Sequence, residues 1–208
     1  MTAHEVKKVG VLVSGRGSNL QALIGAAQEG RLGGEVAVVV SNVATAPALD
    51  KARAAGVPAA VCDHRGQPRE EHDRAVLRVL QEHGVDLVCL AGYMRLLSSP
   101  FLAALPHRVV NVHPSLLPAF PGMDAQRQAW EHGVKVSGAT VHLVEEALDA
   151  GPIVMQEAVE VSPHDTPDSL AARILEAEHR IYPRAVALLL GGRWRIEGRR
   201  FVTEAEPA

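Results

Sequence analysis

Aromatic residues are scarce in this chain: Phe, Trp and Tyr together make up 3% of its 208 residues. Aliphatic side chains must therefore carry the core, and the scarcity argues against stacked-base platforms for single-stranded nucleic acid. Cysteine is also scarce. Cys62 and Cys89 are the only two; both lie in apolar β-type runs and read as buried free thiols in a reducing compartment. Basic excess is missing too. Lys and Arg number 21 against 24 Asp and Glu, for a net charge of −3, so nothing in the balance points to a nucleic-acid backbone. Arg193, Arg195, Arg199 and Arg200 cluster near the C-terminus and read as solvated surface.

Long apolar runs are absent: none approaches the ~20 residues that cross a bilayer. Residues 1–8 are polar and lead straight into a strand, without the pattern of a signal peptide, so the expectation is a cytoplasmic protein. The 10 histidines lack metal spacing. The closest pair, His107 and His113, is six residues apart (113 − 107), and none has the i, i+4 spacing of a helical zinc site. No metal is expected. Catalytic signatures are missing as well. There is no Gly-x-Ser-x-Gly elbow, and a thiol nucleophile needs an exposed cysteine.

Hydrophobic residues account for 47% and charged ones for 22%, an ordinary globular composition. The length suits one larger domain, and no repeat, low-complexity segment or linker interrupts it. A non-alternating apolar run over 6–13 predicts a strand buried on both faces. It is followed by Ser14-Gly15-Arg16-Gly17-Ser18-Asn19-Leu20 and then by Leu23, Ile24 and Ala27 at helical spacing. A strand, a glycine loop and a helix N-terminus are the ingredients of a phosphate site. The loop lacks the Gly-Lys-Ser/Thr of a P-loop and the third glycine of the dinucleotide fingerprint; alone it reads equally well as a turn.

Further strands are expected over 35–40, 59–62, 87–91 and 109–113. Helices over 47–55 and 68–83, and a short one over 101–105, fall between them. This alternation predicts a doubly wound parallel sheet. The second half changes character. A helix over 124–132 precedes two strands over 136–144 and 153–161, which look antiparallel or mixed, the latter alternating Ile153, Met155 and Val159 against Gln156, Glu157 and Glu160. Thr166-Pro167 starts a helix that runs to Leu190, with a kink or restart expected at Pro183. A small hairpin is expected over 194–202.

The stretch 109–122 organises the rest. Asn111 and His113 stand at i and i+2 of the fifth strand, so they share a face. Pro114, Pro118 and Pro121 then force the chain out of the sheet. His113 therefore sits at a strand's carboxyl end, where open α/β sheets place ligands. Read alone, each of the two is more readily a strand-end residue satisfied by backbone. With Asp149 on an acidic loop beside a Gly-Pro turn, it becomes an amide, an imidazole and a carboxylate without a nucleophile. That set suits direct group transfer between two bound substrates. The Asn donates to an oxyanion, the His moves a proton, the Asp orients the His, and juxtaposition supplies much of the rate.

Five blocks carry a family resemblance: Gly-Arg-Gly-Ser-Asn-Leu at 15–20, Ala-Gly-Tyr-Met-Arg-Leu-Leu at 91–97, Asn-Val-His-Pro-Ser-Leu-Leu-Pro at 111–118, Leu-Asp-Ala-Gly-Pro-Ile at 148–153 and Glu-His-Arg-Ile-Tyr-Pro at 178–183. In this order they resemble the folate-dependent phosphoribosylglycinamide formyltransferases over nearly the whole chain. The resemblance implies a Rossmann-like formyltransferase fold, with antiparallel strands in the C-terminal half. It implies one formyltransferase domain over 1–208, with a phosphate-binding half (1–105) and a catalytic and folate-binding half (106–208). The implied co-substrate is 10-formyltetrahydrofolate, the acceptor is glycinamide ribonucleotide, and the chain is a monomer or homodimer with small-molecule partners and neither nucleic acid nor membrane.

The same resemblance assigns roles. Gly17, Ser18 and Asn19 would hold the substrate phosphate, and Glu178 the ribose. Met94, Arg95, Leu96 and Leu97 would line the pterin pocket, and Arg69 would meet the folate tail. Asn111 would bind the formyl oxygen, His113 would be the general acid/base, and Asp149 would raise the pKa of His113. Thr140 would support the site from behind. Without the resemblance, Glu178 and Arg69 read as solvated helix charges. The turn 122–126 departs from many members, having Asp124 where they carry histidine. Two other readings stay open. A formyltetrahydrofolate hydrolase would use water in place of the amine; that family usually carries a further N-terminal domain. A non-catalytic nucleotide-binding module would need only the glycine loop.

Overall fold

The structure is a computed structural model, and it describes residues 6–204. The chain forms two compact units, Met1–Val110 and Asn111–Ala208. The expectation about residues 1–5 lies outside the described residues.

The first unit alternates β1 (Lys8–Val13), α1 (Ser18–Gln28), β2 (Glu35–Ser41), α2 (Pro47–Ala54), β3 (Ala59–Val61), α3 (Arg69–Glu82), β4 (Leu87–Leu90) and α4 (Ser99–Ala104). Its strand order is β3-β2-β1-β4, and every pair is parallel. The Val- and Leu-rich runs explain the arrangement. Val9, Val11, Leu12 and Val13 of β1 and Val38 and Val39 of β2 are fully buried, as strands covered on both faces must be. α1 contributes Leu20, Leu23 and Ile24 to the same core.

β5 (Val109–His113) begins in the first unit and ends in the second. The second unit holds α5 (Ala125–Glu131), β6 (Val136–Leu143), β7 (Ile153–Glu160), α6 (Pro167–Leu190), β8 (Trp194–Glu197) and β9 (Arg200–Thr203). Its strand order is β5-β6-β7-β9-β8. β6 and β7 pair antiparallel, with Thr140 opposite Gln156. β8 and β9 form the expected hairpin, which joins β7 through a parallel pairing of Ile153 with Arg200. The sheet is thus mostly parallel at first and mixed in its C-terminal half, as the residue pattern foretells.

Three expectations need correcting. α6 does not restart at Pro183, the second of the two outcomes expected there, but runs through it. The lost hydrogen bond is outweighed by packing on both sides, because Ile181, Tyr182, Ala185 and Val186 are all buried. Cys62 is not fully buried; it follows β3, the last strand of its unit's order, and is covered only in part. Ile153 does not sit on a buried face, being 37% exposed, whereas Val159 is buried. β7 is thinly covered along its whole length: Val159 is buried, and its other residues are half-buried or exposed. Among the described residues, no helix is long and apolar enough to cross a membrane.

Candidate active site

The glycine loop closes onto α1 as its residue types require. Gly17 is the N-cap, with φ 72° and ψ 37° in the left-handed region. A Cβ there would also lie 2.7 Å from the Ala48 Cβ, so only glycine fits. Ser18 opens the helix, and the adjacent Asn19 is 8% exposed. First-turn N–H groups and the helix dipole give this end an affinity for anions. Behind it, the Ala48 N–H donates to the Gly15 carbonyl (3.1 Å).

The segment after β4 is held at both ends. The Ser14 N–H donates to the Gly92 carbonyl (3.1 Å), and the Met94 N–H donates to the Ser14 hydroxyl (2.8 Å). At the far end the Ser98 N–H donates to Asp73 Oδ2 (2.7 Å). Asp73 is buried on α3 beside buried His72, whose Nδ1 lies 3.2 Å from Asp73 Oδ1. Through Nε2, His72 donates to the Cys62 carbonyl (2.9 Å). Between the two anchors, Met94 and Leu96 stand 68% and 60% exposed, an apolar surface offered outward. Arg95 and Leu97 are partly covered. Tyr93 OH, Arg95 Nε and Ser98 Oγ are buried without a hydrogen-bond partner, which marks them for water or ligand. Burial, and then the Asp73 carboxylate, pushes the Tyr93 phenol above its ordinary value. Arg69 is exposed at the start of α3.

In the second unit, β5, β6 and the loop before β7 converge. Asn111 Nδ2 lies 3.3 Å from His142 Nε2. His142 Nε2 lies 3.7 Å from Asp149 Oδ1, and His113 Nδ1 lies 3.5 Å from Asp149 Oδ2. All three ionisable side chains are at least nine-tenths buried. The hydrogen bonds fix the protons. His142 donates through Nδ1 to the Leu143 carbonyl (2.9 Å). Burial holds this imidazole below its ordinary pKa of 6.5, against the opposing pull of Asp149. Neutral His142 therefore presents its Nε2 lone pair to the Asn111 amide, which turns the side chain and leaves one N–H free to point elsewhere. His113 donates through Nε2 to the Phe120 carbonyl (2.9 Å). With Nε2 engaged, Nδ1 is the nitrogen left facing Asp149.

The backbone around this cluster is shaped to hold it. Asp149 adopts a left-handed conformation, φ 49°, which Asp tolerates better than most residues. It accepts the Gly122 N–H at 2.8 Å. Gly151 is essential to the same loop, because a Cβ there would meet the Leu143 carbonyl oxygen at 1.9 Å. Thr140, fully buried, donates to the Ser115 carbonyl (2.7 Å) and accepts from the Leu117 N–H (3.0 Å) and Gln156 Nε2 (2.9 Å). It fixes the segment that delivers the Phe120 carbonyl.

The structure therefore brings together Asn111, His113 and Asp149, although 36 residues separate the last two in sequence (149 − 113). It adds His142, for which the sequence pattern carries no assigned role. The signal was available: Thr140 and His142 stand at i and i+2 of β6, repeating the Asn111 and His113 spacing on β5. Glu178 is not solvated but 6% exposed on α6. Among the described residues, no group of three or more His, Cys, Asp or Glu is arranged to hold a metal ion. The cluster offers an amide donor, a proton carrier and a carboxylate, chemistry suited to stabilising an oxyanion and moving a proton.

Known proteins share this sequence and fold. The formyl transferase family model matches residues 7–186. The phosphoribosylglycinamide formyltransferase of Bacillus subtilis is 40% identical over 187 residues, 89% of this chain and 96% of that protein. The trifunctional purine biosynthetic protein adenosine-3 of Gallus gallus is 48% identical over 186 residues. This chain spans only 18% of that much longer protein's length. Among solved structures, glycinamide ribonucleotide transformylase 1 from Symbiobacterium toebii superposes with a TM-score of 0.94 at 54% identity, covering 97% of this chain and 95% of that one. A formyltetrahydrofolate deformylase from Pseudomonas syringae pv. tomato superposes with a TM-score of 0.90 at 29% identity, over 96% of this chain and 66% of that one. With the match extending through both units and across every block of the site, the chain belongs to the formyl transferase family.

Proposed function

We propose that this chain transfers the formyl group of 10-formyltetrahydrofolate to the primary amine of N1-(5-phosphoribosyl)glycinamide, a step of de novo purine synthesis. The carrying observation is the Asn111–His113–His142–Asp149 cluster, its three ionisable side chains buried and Asn111 half-buried, which holds oxyanion and proton chemistry but no nucleophile of its own. The attacking group must then come from a substrate, and the amine supplies it.

The amine nitrogen bonds to the formyl carbon, and the carbonyl electrons move onto oxygen. Asn111 donates to that oxyanion through the N–H not engaged by His142. His113 loses and regains a proton at Nδ1 while Asp149 faces the charged form. The proton released by the amine reaches the folate N10 as the bond from N10 to the formyl carbon breaks, so formylated ribonucleotide and tetrahydrofolate leave together. Gly17, Ser18 and Asn19 receive the phosphate at the α1 N-terminus, and buried Glu178 faces the ribose hydroxyls. Met94, Arg95, Leu96 and Leu97 receive the pterin; the exposed apolar side chains and the unpartnered Tyr93, Arg95 and Ser98 atoms support that reading. Arg69 meets the carboxylate tail of the folate. Phosphate binding belongs to residues 1–105, and the chemistry to residues 106–208. The reaction runs in the cytoplasm, with small molecules as partners and the chain as a monomer or homodimer.

The test is product identity. Mass spectrometry of a reaction with both substrates detects the ribonucleotide carrying one added formyl group. An Asn111→Ala variant that formylates as fast as wild type would overturn the assignment of the oxyanion donor.

A further inference from the structure

We infer that Ser14 couples the two ligand loops of the first unit, so that an anion at Gly17–Asn19 tightens the hold of the 92–97 segment on its ligand. This rests on the loop assignments of the proposed function. Ser14 directly follows the last residue of β1 and leads into Gly15, Arg16 and Gly17 of the glycine loop. Its backbone N–H holds the Gly92 carbonyl (3.1 Å). Its hydroxyl donates to Asn42 Oδ1 (2.6 Å) and accepts the Met94 N–H (2.8 Å). A hydroxyl has one proton, so committing it to Asn42 aims a lone pair at Met94. Asn42 is itself fixed: it is 3% exposed, and His64 donates through Nδ1 to its backbone carbonyl (2.8 Å).

The two ends of the 92–98 segment are thus anchored independently. The Met94 end hangs on Ser14, which is continuous with the phosphate loop. The Ser98 end hangs on Asp73 of α3. Ordering residues 15–19 around an anion restrains Ser14 and, through its hydroxyl, the Met94 amide; the Ser98 amide has no such connection. Coupling of this kind is reciprocal, so a pterin ligand tightens anion binding by the same factor.

The experiment uses inorganic phosphate and tetrahydrofolate with the whole chain, read by calorimetry and by amide hydrogen exchange. In wild type, saturating phosphate lowers the tetrahydrofolate Kd about fivefold, the small end of typical couplings, and raises protection at the Met94 amide but not at Ser98. In Ser14→Ala the Kd ratio falls to about one and the Met94 response disappears; Ser14→Thr, which keeps the hydroxyl, restores both. An unchanged ratio in Ser14→Ala, or a wild-type ratio of one with phosphate bound, overturns the inference alone. If phosphate fails to perturb the Gly17 and Ser18 amides of wild type, the phosphate-loop reading falls and takes the inference with it.

Discussion

Replacing Thr140 by valine keeps the shape of the side chain and removes one oxygen. That oxygen joins the Ser115 carbonyl, the Leu117 N–H and the Gln156 amide at a position with no solvent exposure. Gln156 keeps its second bond, to the Leu117 carbonyl (2.9 Å), so two buried backbone groups are left without partners. Each costs ~1–3 kcal/mol, and no cavity adds to the sum, so Thr140→Val should lose roughly 2–6 kcal/mol. For a chain of 208 residues, at ~2–4 °C per kcal/mol, Tm should fall by at least about 4 °C and by as much as about 24 °C. Turnover should fall as well, about tenfold below the variant's unfolding range, because the same segment delivers the carbonyl that fixes His113; a misplaced catalytic group is costly in rate. Thermal and urea melts measure the first effect and steady-state assays the second, with Thr140→Ser as the control that retains the oxygen. A Thr140→Val protein within about 0.5 kcal/mol of wild type, the range of innocuous surface changes, would refute the idea that this hydroxyl ties the loop to the sheet.

Other outcomes follow from the same geometry. Asn111→Ala should lower kcat by about 10²–10³ with little change in KM for either substrate, as loss of an oxyanion donor does. His142 is held below 6.5 by burial, so the unfolded chain takes up a proton that the folded one refuses. Stability should therefore fall as pH drops below about 6.5, by up to ~1.4 kcal/mol per unit until the folded value is reached; pH-dependent urea melts of wild type against His142→Asn would read this directly, and equal slopes would contradict it. Gly151→Ala should yield little folded protein, since its Cβ would collide with the Leu143 carbonyl; soluble expression and circular dichroism check it. Arg199 donates to the Ala150 carbonyl (2.6 Å) beside Asp149, so Arg199→Ala should reduce kcat several-fold, about the worth of one exposed charge-assisted bond, while Arg199→Lys retains most of it.

Much of this was legible in the residue order. The Val-rich runs specified the parallel strands, and the prolines after His113 forced the exit that places it at a strand end. The glycine loop was readable because Gly17 sits where no other residue fits. What escaped reading was set by tertiary packing. Thr140 and His142 mark one polar face of β6, but nothing local reveals that β6 lies beside β5, or that the Phe120 and Leu143 carbonyls, which carry no residue identity, decide which imidazole nitrogen holds a proton. Glu178 belongs to a helix whose pattern permitted a solvated carboxylate, and only the fold buries it. Pro183 shows the converse: a strong local signal overridden by the packing of its neighbours.

The proposed reaction requires that the ribonucleotide's amine, and not water, attacks the formyl carbon. The most direct measurement is the rate of tetrahydrofolate release from 10-formyltetrahydrofolate, followed by absorbance, with and without glycinamide ribonucleotide. Attack by the amine gives release that depends on the ribonucleotide and disappears in a folded His113→Ala variant. Equal release without the ribonucleotide would make water the acceptor and contradict it.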